Sequence, residues 1–215
     1  MKFKNSIIKV LALVLFLFFT SSTLVFAVNP DGYICSHGYH TFGDKVMTGG
    51  VGNYGSNRRY YWTYGLDATY KGYAAGAVYD WVNTSPGYPY VTTSISIRET
   101  TTRSAAMFEF YQAVLPLGEL GKATFWVNNT QINLNSAGAL PQNYGWTQML
   151  ICVENIVRSG ITTTQRKGVF AHELGHGMGL SHQNNNQYSI MCQTSYGRIV
   201  ERAEAIDCNA INHLY

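Results

Sequence analysis

Helix and strand periodicities occur side by side, and together they predict an α+β fold. Three segments have helical spacing: Ala68 to Val82, a run ending near Gly179, and a last one from Ile206 to Leu214. Short period-two runs lie among them, such as Val91, Thr93, Ile95 and Ile97. The composition agrees. Gly, Tyr, Asn and Thr are many and charged residues are only 13%, which suits a secreted, β-rich and loop-rich chain.

Residues 1–27 read as a signal peptide. Lys2, Lys4 and Lys9 give a basic start, residues 7–19 are apolar apart from Lys9, and Val25-Phe26-Ala27 suits a cleavage site. The apolar run is shorter than the roughly 20 residues of a membrane span, so an uncleaved anchor is the weaker reading. Cleavage leaves 188 of the 215 residues, enough for one domain at 28–215. It also removes three of the 15 basic residues and none of the 12 acidic ones, so the remaining chain is balanced at 12 against 12. Nothing in that balance points to nucleic acid. The expected product is secreted, monomeric and free of the membrane.

Residues 28–57 form an irregular N-terminal segment. Gly49-Gly50-Val51-Gly52-Asn53 reads as loop, and His37 and His40 read as exposed loop histidines. Arg58 to Tyr64 is a first strand, rich in aromatics. The helix from Ala68 to Val82 should bury Ala74, Ala75, Val78, Tyr79 and Val82, and Pro86-Gly87 should end it. Tyr90 to Thr102 alternates as a strand. Ala106 to Leu115 fits either a strand or a short helix. Lys122 to Asn128 is a further strand, and Asn128-Asn129-Thr130 is a formal glycosylation acceptor. Residues 130–145 read as a long surface loop. Trp146 to Glu154 is a strand with Met149, Ile151 and Val153 on one face. Thr162 and Gln165 suit a capping box for the next helix. In the last helix Ile206, Ala210, Ile211 and Leu214 share a face, Asp207 suits the first turn, and His213 lies off the face in solvent.

The most specific stretch is His172-Glu173-Leu174-Gly175-His176-Gly177-Met178-Gly179-Leu180-Ser181-His182. Two histidines four apart share a helix face and can hold one side of a zinc ion. Glu173 lies about 100° round the helix, placed to take a proton from metal-bound water without ligating. Six residues past His176, a continuing helix would carry His182 about 240° away. The helix must therefore stop, and Gly179 is the residue that can break it. Three neutral imidazoles then leave a fourth position open for water.

This run has the extended form H-E-x-x-H-x-x-G-x-x-H, and it resembles the metzincin metallopeptidases. Ser189-Ile190-Met191 resembles their methionine turn, with Met191 as a soft floor beneath the histidines. With the ending Ala-Ile-Asn-His-Leu-Tyr, residues 165–215 resemble bacterial matrixin-like members. The resemblance implies a zincin domain with a twisted, mostly parallel sheet, one antiparallel edge strand, an active-site helix and a C-terminal helix. It implies Zn²⁺ on His172, His176 and His182, with Glu173 catalytic. It also implies a peptide or protein substrate bound as an added strand. The chain departs from the family pattern in three ways: no cysteine switch is seen, Gln183 follows His182, and no motif supports a structural Ca²⁺.

The functional expectation is a secreted zinc endopeptidase acting on extracellular proteins. The alternative is a catalytically inactive zinc-containing surface or binding protein of the same fold, and a third reading is a hydrolase of non-peptide amides. Tyr188 and Tyr196 could assist an oxyanion, though packing is the simpler role. Four cysteines remain after cleavage, and an even count in an exported chain favours two disulfides. Of three pairings, Cys192–Cys208 and Cys35–Cys152 are favoured, the former tying the methionine turn to the last helix.

Overall fold

A computed structural model describes residues 37–53 and 58–215. The signal segment and Cys35 lie outside the described residues. Six strands make one sheet: β1 (Arg59–Tyr64), β2 (Ile97–Glu99), β3 (Phe108–Gln112), β4 (Gly121–Val127), β5 (Thr130–Ile132) and β6 (Trp146–Ile151). Their order is β2-β1-β3-β6-β4-β5. The first four in that order are parallel, while β4 runs antiparallel to both β6 and β5. The expected mostly parallel sheet with one antiparallel strand is therefore present. Its outermost strand is the short β5, which pairs with β4 only at 125–127. Residues 121–124 of β4 form the sheet edge beside the cleft.

Alternation along the strands sorts side chains to two faces. The row Tyr61–Phe108–Thr147–Phe125 crosses the sheet in register and is buried. Among the described residues, four α-helices complete the fold: α1 (Ala68–Val82), α2 (Val153–Arg158), α3 (Thr163–Gly177) and α4 (Ala205–Leu214). Helix α3 lies over the buried row, since a Cβ on Gly177 would touch Thr147, Met149 and Phe108. Helix α1 packs beside α3. The buried Trp81 donates its indole N–H to the Ala171 carbonyl (2.9 Å), and Lys167 pairs with Asp80 (2.7 Å). The other sheet face is partly exposed and aromatic, with Trp126 stacked on Trp146 and Tyr64 on Tyr111.

Several expectations need correction. In α1 the buried face is Tyr70, Ala74, Ala77, Val78 and Trp81, while Tyr79 and Ala75 are exposed. The large indole, anchored to α3, sets the rotation of the helix. Of residues 90–102 only Ile97–Glu99 is a strand. Upstream, the backbone bonds to a side chain and a loop instead: Thr93 N–H to the Thr84 hydroxyl and Ser96 N–H to the Val51 carbonyl. The ambiguous segment at 106–115 contains strand β3. The supposed loop at 130–145 begins with β5, joined to β4 through the two-residue turn Asn128-Asn129. Strand β6 stops at Ile151. Val153 and Glu154 belong to α2, which Asn155 fastens by donating to the carbonyls of Pro116 (2.8 Å) and Glu119 (2.9 Å).

The cysteine pairings are not supported either. Cys152, Cys192 and Cys208 are free and buried, so Cys192–Cys208 is not formed. The two thiols are buried packing groups, and the link expected of them is made by Asp207 instead. Its carboxylate accepts from the Ser189 hydroxyl (2.5 Å) and the Ile190 N–H (3.0 Å). In α4, Cys208, Ala210 and Ile211 are buried while Ile206 is 38% exposed, so the face is rotated toward Asp207. Among the described residues, no helix is long and apolar enough to cross a membrane.

Trp81→Phe removes the indole N–H donor to the Ala171 carbonyl and part of a fully buried ring. We expect a loss of about 1–2 kcal/mol in denaturant unfolding, with the slope unchanged.

Candidate metal centre

Helix α3 starts on the capping box expected of it. The Gln165 N–H donates to the Thr162 hydroxyl (3.3 Å) and the Thr162 N–H to the Gln165 side chain (2.9 Å). It ends in a Schellman arrangement. The Leu180 N–H bonds the Gly175 carbonyl (3.1 Å), and the Gly179 N–H bonds that of His176 (2.9 Å). Gly179 has φ +104°, and a Cβ there would press on the Lys45 carbonyl at 3.0 Å. The break predicted at Gly179 is thus required twice, by backbone conformation and by space. Two tyrosines cap the remaining carbonyls: Tyr144 donates to Gly177 and Tyr215 to Met178, both at 3.0 Å.

The reversal brings His182 back to the other two rings. One ligand nitrogen from each of His172, His176 and His182 lies within 4.8 Å of the others. The Nε2 atoms of His176 and His182 are 3.1 Å apart, close to the separation of roughly 3.3 Å across a tetrahedral zinc ion. The tautomers suit a metal. His172 Nδ1 donates to the Ile190 carbonyl and His176 Nδ1 to the Leu180 carbonyl, both at 2.7 Å. Each Nε2 therefore carries a lone pair toward the shared point. Burial, then the neighbouring rings, holds His172 well below the usual imidazole range. Burial followed by His182 brings His176 down to about 3, and burial brings His182 to about 4. All three are neutral donors near neutral pH, which is the ligand form that zinc takes.

Glu173 is buried in the wall of the same cleft, and its Oε2 has no hydrogen-bond partner among the described residues. Burial pushes its carboxyl up to about 8, against a lowering by Arg198. An orphaned carboxylate oxygen beside three converging ring nitrogens is the signature of a site that fits a cation and a polar small molecule. The cleft encloses about 600 Å³ and is lined by residues 118–125 with the three histidines, Val169, Phe42 and Arg198.

Met191 lies directly beneath the histidine helix. A Cβ on Gly175 would sit 2.4 Å from its sulfur. The turn therefore occupies the place expected of it, and it does more than fill space. Its Ile190 carbonyl orients His172, while the Ile190 N–H is held by Asp207 (3.0 Å). A single residue, Ile190, thus connects α4 to the first histidine. Burial raises Asp207 to about 6 against the opposing pull of its hydrogen-bond donors. Tyr188 and Tyr196 are 66% and 46% exposed, and neither lines the cleft.

Four contributors were missed in the sequence. His40 is buried and donates from Nδ1 to the His182 carbonyl (2.7 Å), so it is no exposed loop histidine. Phe42 donates its N–H to the Gly179 carbonyl (3.0 Å) and its ring lies 5.5 Å from that of His176. Gly121 leaves room for Glu173, whose carboxylate lies 2.5 Å from where its Cβ would be. Arg198 is buried and reaches the Cys192 (3.3 Å) and Ile190 (3.5 Å) carbonyls, bracing the turn. The mixed Gly and aromatic loop has no periodicity from which the first two could be read.

The histidine run, the helix stopped at Gly179 and the methionine beneath it together make a metzincin-like centre on a mixed sheet. No family model and no curated protein matches the chain. Solved structures with partial likeness include myroilysin, at 13% identity, covering 65% of this chain and 55% of that one, TM-score 0.38. A second myroilysin structure shares 12% identity over 86% and 91% of the two chains, TM-score 0.42. High choriolytic enzyme 1, a hatching enzyme zinc-protease from the medaka fish Oryzias latipes, shares 12% over 77% and 94%, TM-score 0.41. This chain thus spans little more than half of the first of these. At such scores they bear on neither activity nor substrate.

Asp207→Ala should lower zinc affinity about 10–100-fold, because His172 loses its oriented carbonyl. Thr162→Ala, at the far end of the same helix, should cost about 1 kcal/mol of stability and leave zinc affinity unchanged. Competitive chelator titration of both variants tests the pair.

Proposed function

We propose that the protein is a secreted zinc endopeptidase, with His172, His176 and His182 as ligands, Glu173 as general base and residues 28–215 as one catalytic domain. The observation that carries this reading is the orphaned, buried Glu173 Oε2 beside the three converging imidazoles. A purely structural metal site has no use for such a group.

Bound zinc would polarise the scissile carbonyl and acidify the attacking water. Glu173 accepts the proton from that water and passes it to the leaving amine. Burial raises its affinity for a proton, which suits the second half, and bound zinc would favour the charged form that the first half needs. Gly121 keeps the carboxylate free to move between them. The unpaired stretch of β4 at 121–124 offers backbone N–H and C=O groups to an extended peptide, which would lie across the cleft as an added strand. That favours a polypeptide substrate over a compact amide. Phe42 and Val169 supply apolar cleft wall.

Glu173→Gln should keep stoichiometric zinc and the native unfolding midpoint while casein cleavage falls by about 10²–10⁴-fold or more. Cleavage should stop with a chelator and return with zinc. A zinc-loaded native protein that cleaves no casein or peptide library would leave the non-catalytic binding role standing instead. Gly121→Val should displace Glu173 and lower kcat by at least about tenfold with zinc content unchanged.

A further inference from the structure

A second group of metal donors lies away from the cleft, where the N-terminal segment meets the end of the chain. His37 Nδ1 is 3.7 Å from one Asp44 oxygen, and His213 Nε2 is 3.1 Å from the other. One donor atom from each of the three residues lies within 4.8 Å of the others. Bonds of roughly 2.0–2.2 Å to one ion require donor separations of roughly 3–4 Å, so small rotations bring the set into range. His37 is the more exposed of the two histidines, with 64% of its side chain accessible against 20% for His213.

The other two are already aimed. Asp44 sits at φ +55°, a conformation that aspartate tolerates, and the Thr41 hydroxyl donates to its Oδ1 (2.8 Å). The ring of His213 is stacked against Tyr39 with centroids 4.7 Å apart, and its side chain is only 20% exposed. Two imidazoles and one carboxylate select zinc, copper or nickel over calcium or magnesium, which take oxygen donors. Sequence reading placed His37 and His213 in solvent. The fold brings them together from positions 176 residues apart.

We propose that His37, Asp44 and His213 form a second, exchangeable site for a divalent transition ion such as zinc or copper, clipping the N-terminal segment to the last turn of α4. The location gives the clip a consequence. Between its ligands run His40, Thr41 and Phe42, which pair with residues 179–181 and hold the His182 carbonyl. An ion here would cross-link the strap that steadies the third histidine of the cleft. The proposal does not depend on the chemistry assigned to that centre.

The test uses untagged protein, with no added histidines, holding one equivalent of zinc. Calorimetric titration with zinc, and with copper followed by electron paramagnetic resonance, should show a second equivalent bound at micromolar free metal. The copper spectrum should show nitrogen coordination, and the unfolding midpoint should rise by about 5 °C at a hundredfold excess over Kd. His37→Ala and Asp44→Asn should each weaken the second equivalent at least tenfold without lowering the metal-free midpoint. His182→Ala should weaken the first and spare the second, which separates failure here from failure at the cleft. Absence of a second equivalent from the native protein, or one that survives both His37→Ala and Asp44→Asn unchanged, overturns the proposal.

Discussion

Two backbone carbonyls decide what the histidines can do. Those of Leu180 and Ile190 each accept a hydrogen bond from an Nδ1–H, and so turn the lone pairs of His176 and His172 toward one point. Without these bonds, a buried imidazole would be free to present its N–H instead. Both carbonyls come from chain that follows α3, so the helix must end promptly and the chain must return beneath it. Gly179 permits the return, and the contacts around Met191 depend on it.

Close approach is the structural cost of this arrangement. Met191 passes so near α3 that position 175 tolerates no side chain, and Glu173 likewise excludes one at position 121. Such contacts leave little freedom for the turn, which is held from three sides: by Asp207 on α4, by Arg198, and by the hydrogen bond to His172. Desolvation follows from the same packing. It keeps the imidazoles neutral and raises the proton affinity of Glu173.

Much of the local structure was legible. The extent of α1, the capping box at Thr162 and the strands near 59–64, 121–127 and 146–151 follow from short-range patterns. Errors arose where a distant partner overrode the pattern. Alternation at 90–95 is real in burial, yet no strand among the described residues pairs with it. The face of α1 turned to seat Trp81 against α3. Residue 153 continued the apolar alternation of β6 but entered a helix, because Asn155 found three carbonyls in the loop before β4. The tie between the methionine turn and the last helix was anticipated, with the wrong chemistry. A carboxylate accepting buried N–H and O–H groups does the work assigned to a disulfide.

By itself the sequence determined which groups meet at the centre: three histidines, a glutamate among them, and one position where the helix must break. These are consequences of helical geometry over eleven consecutive residues, so no long-range information is needed to read them. Tertiary structure alone decided who supports them. His40, Phe42, Gly121 and Asp207 act across separations from 17 to 142 residues. No periodicity encodes such pairings, because they follow from how the sheet and helices stack and not from any local preference of the backbone.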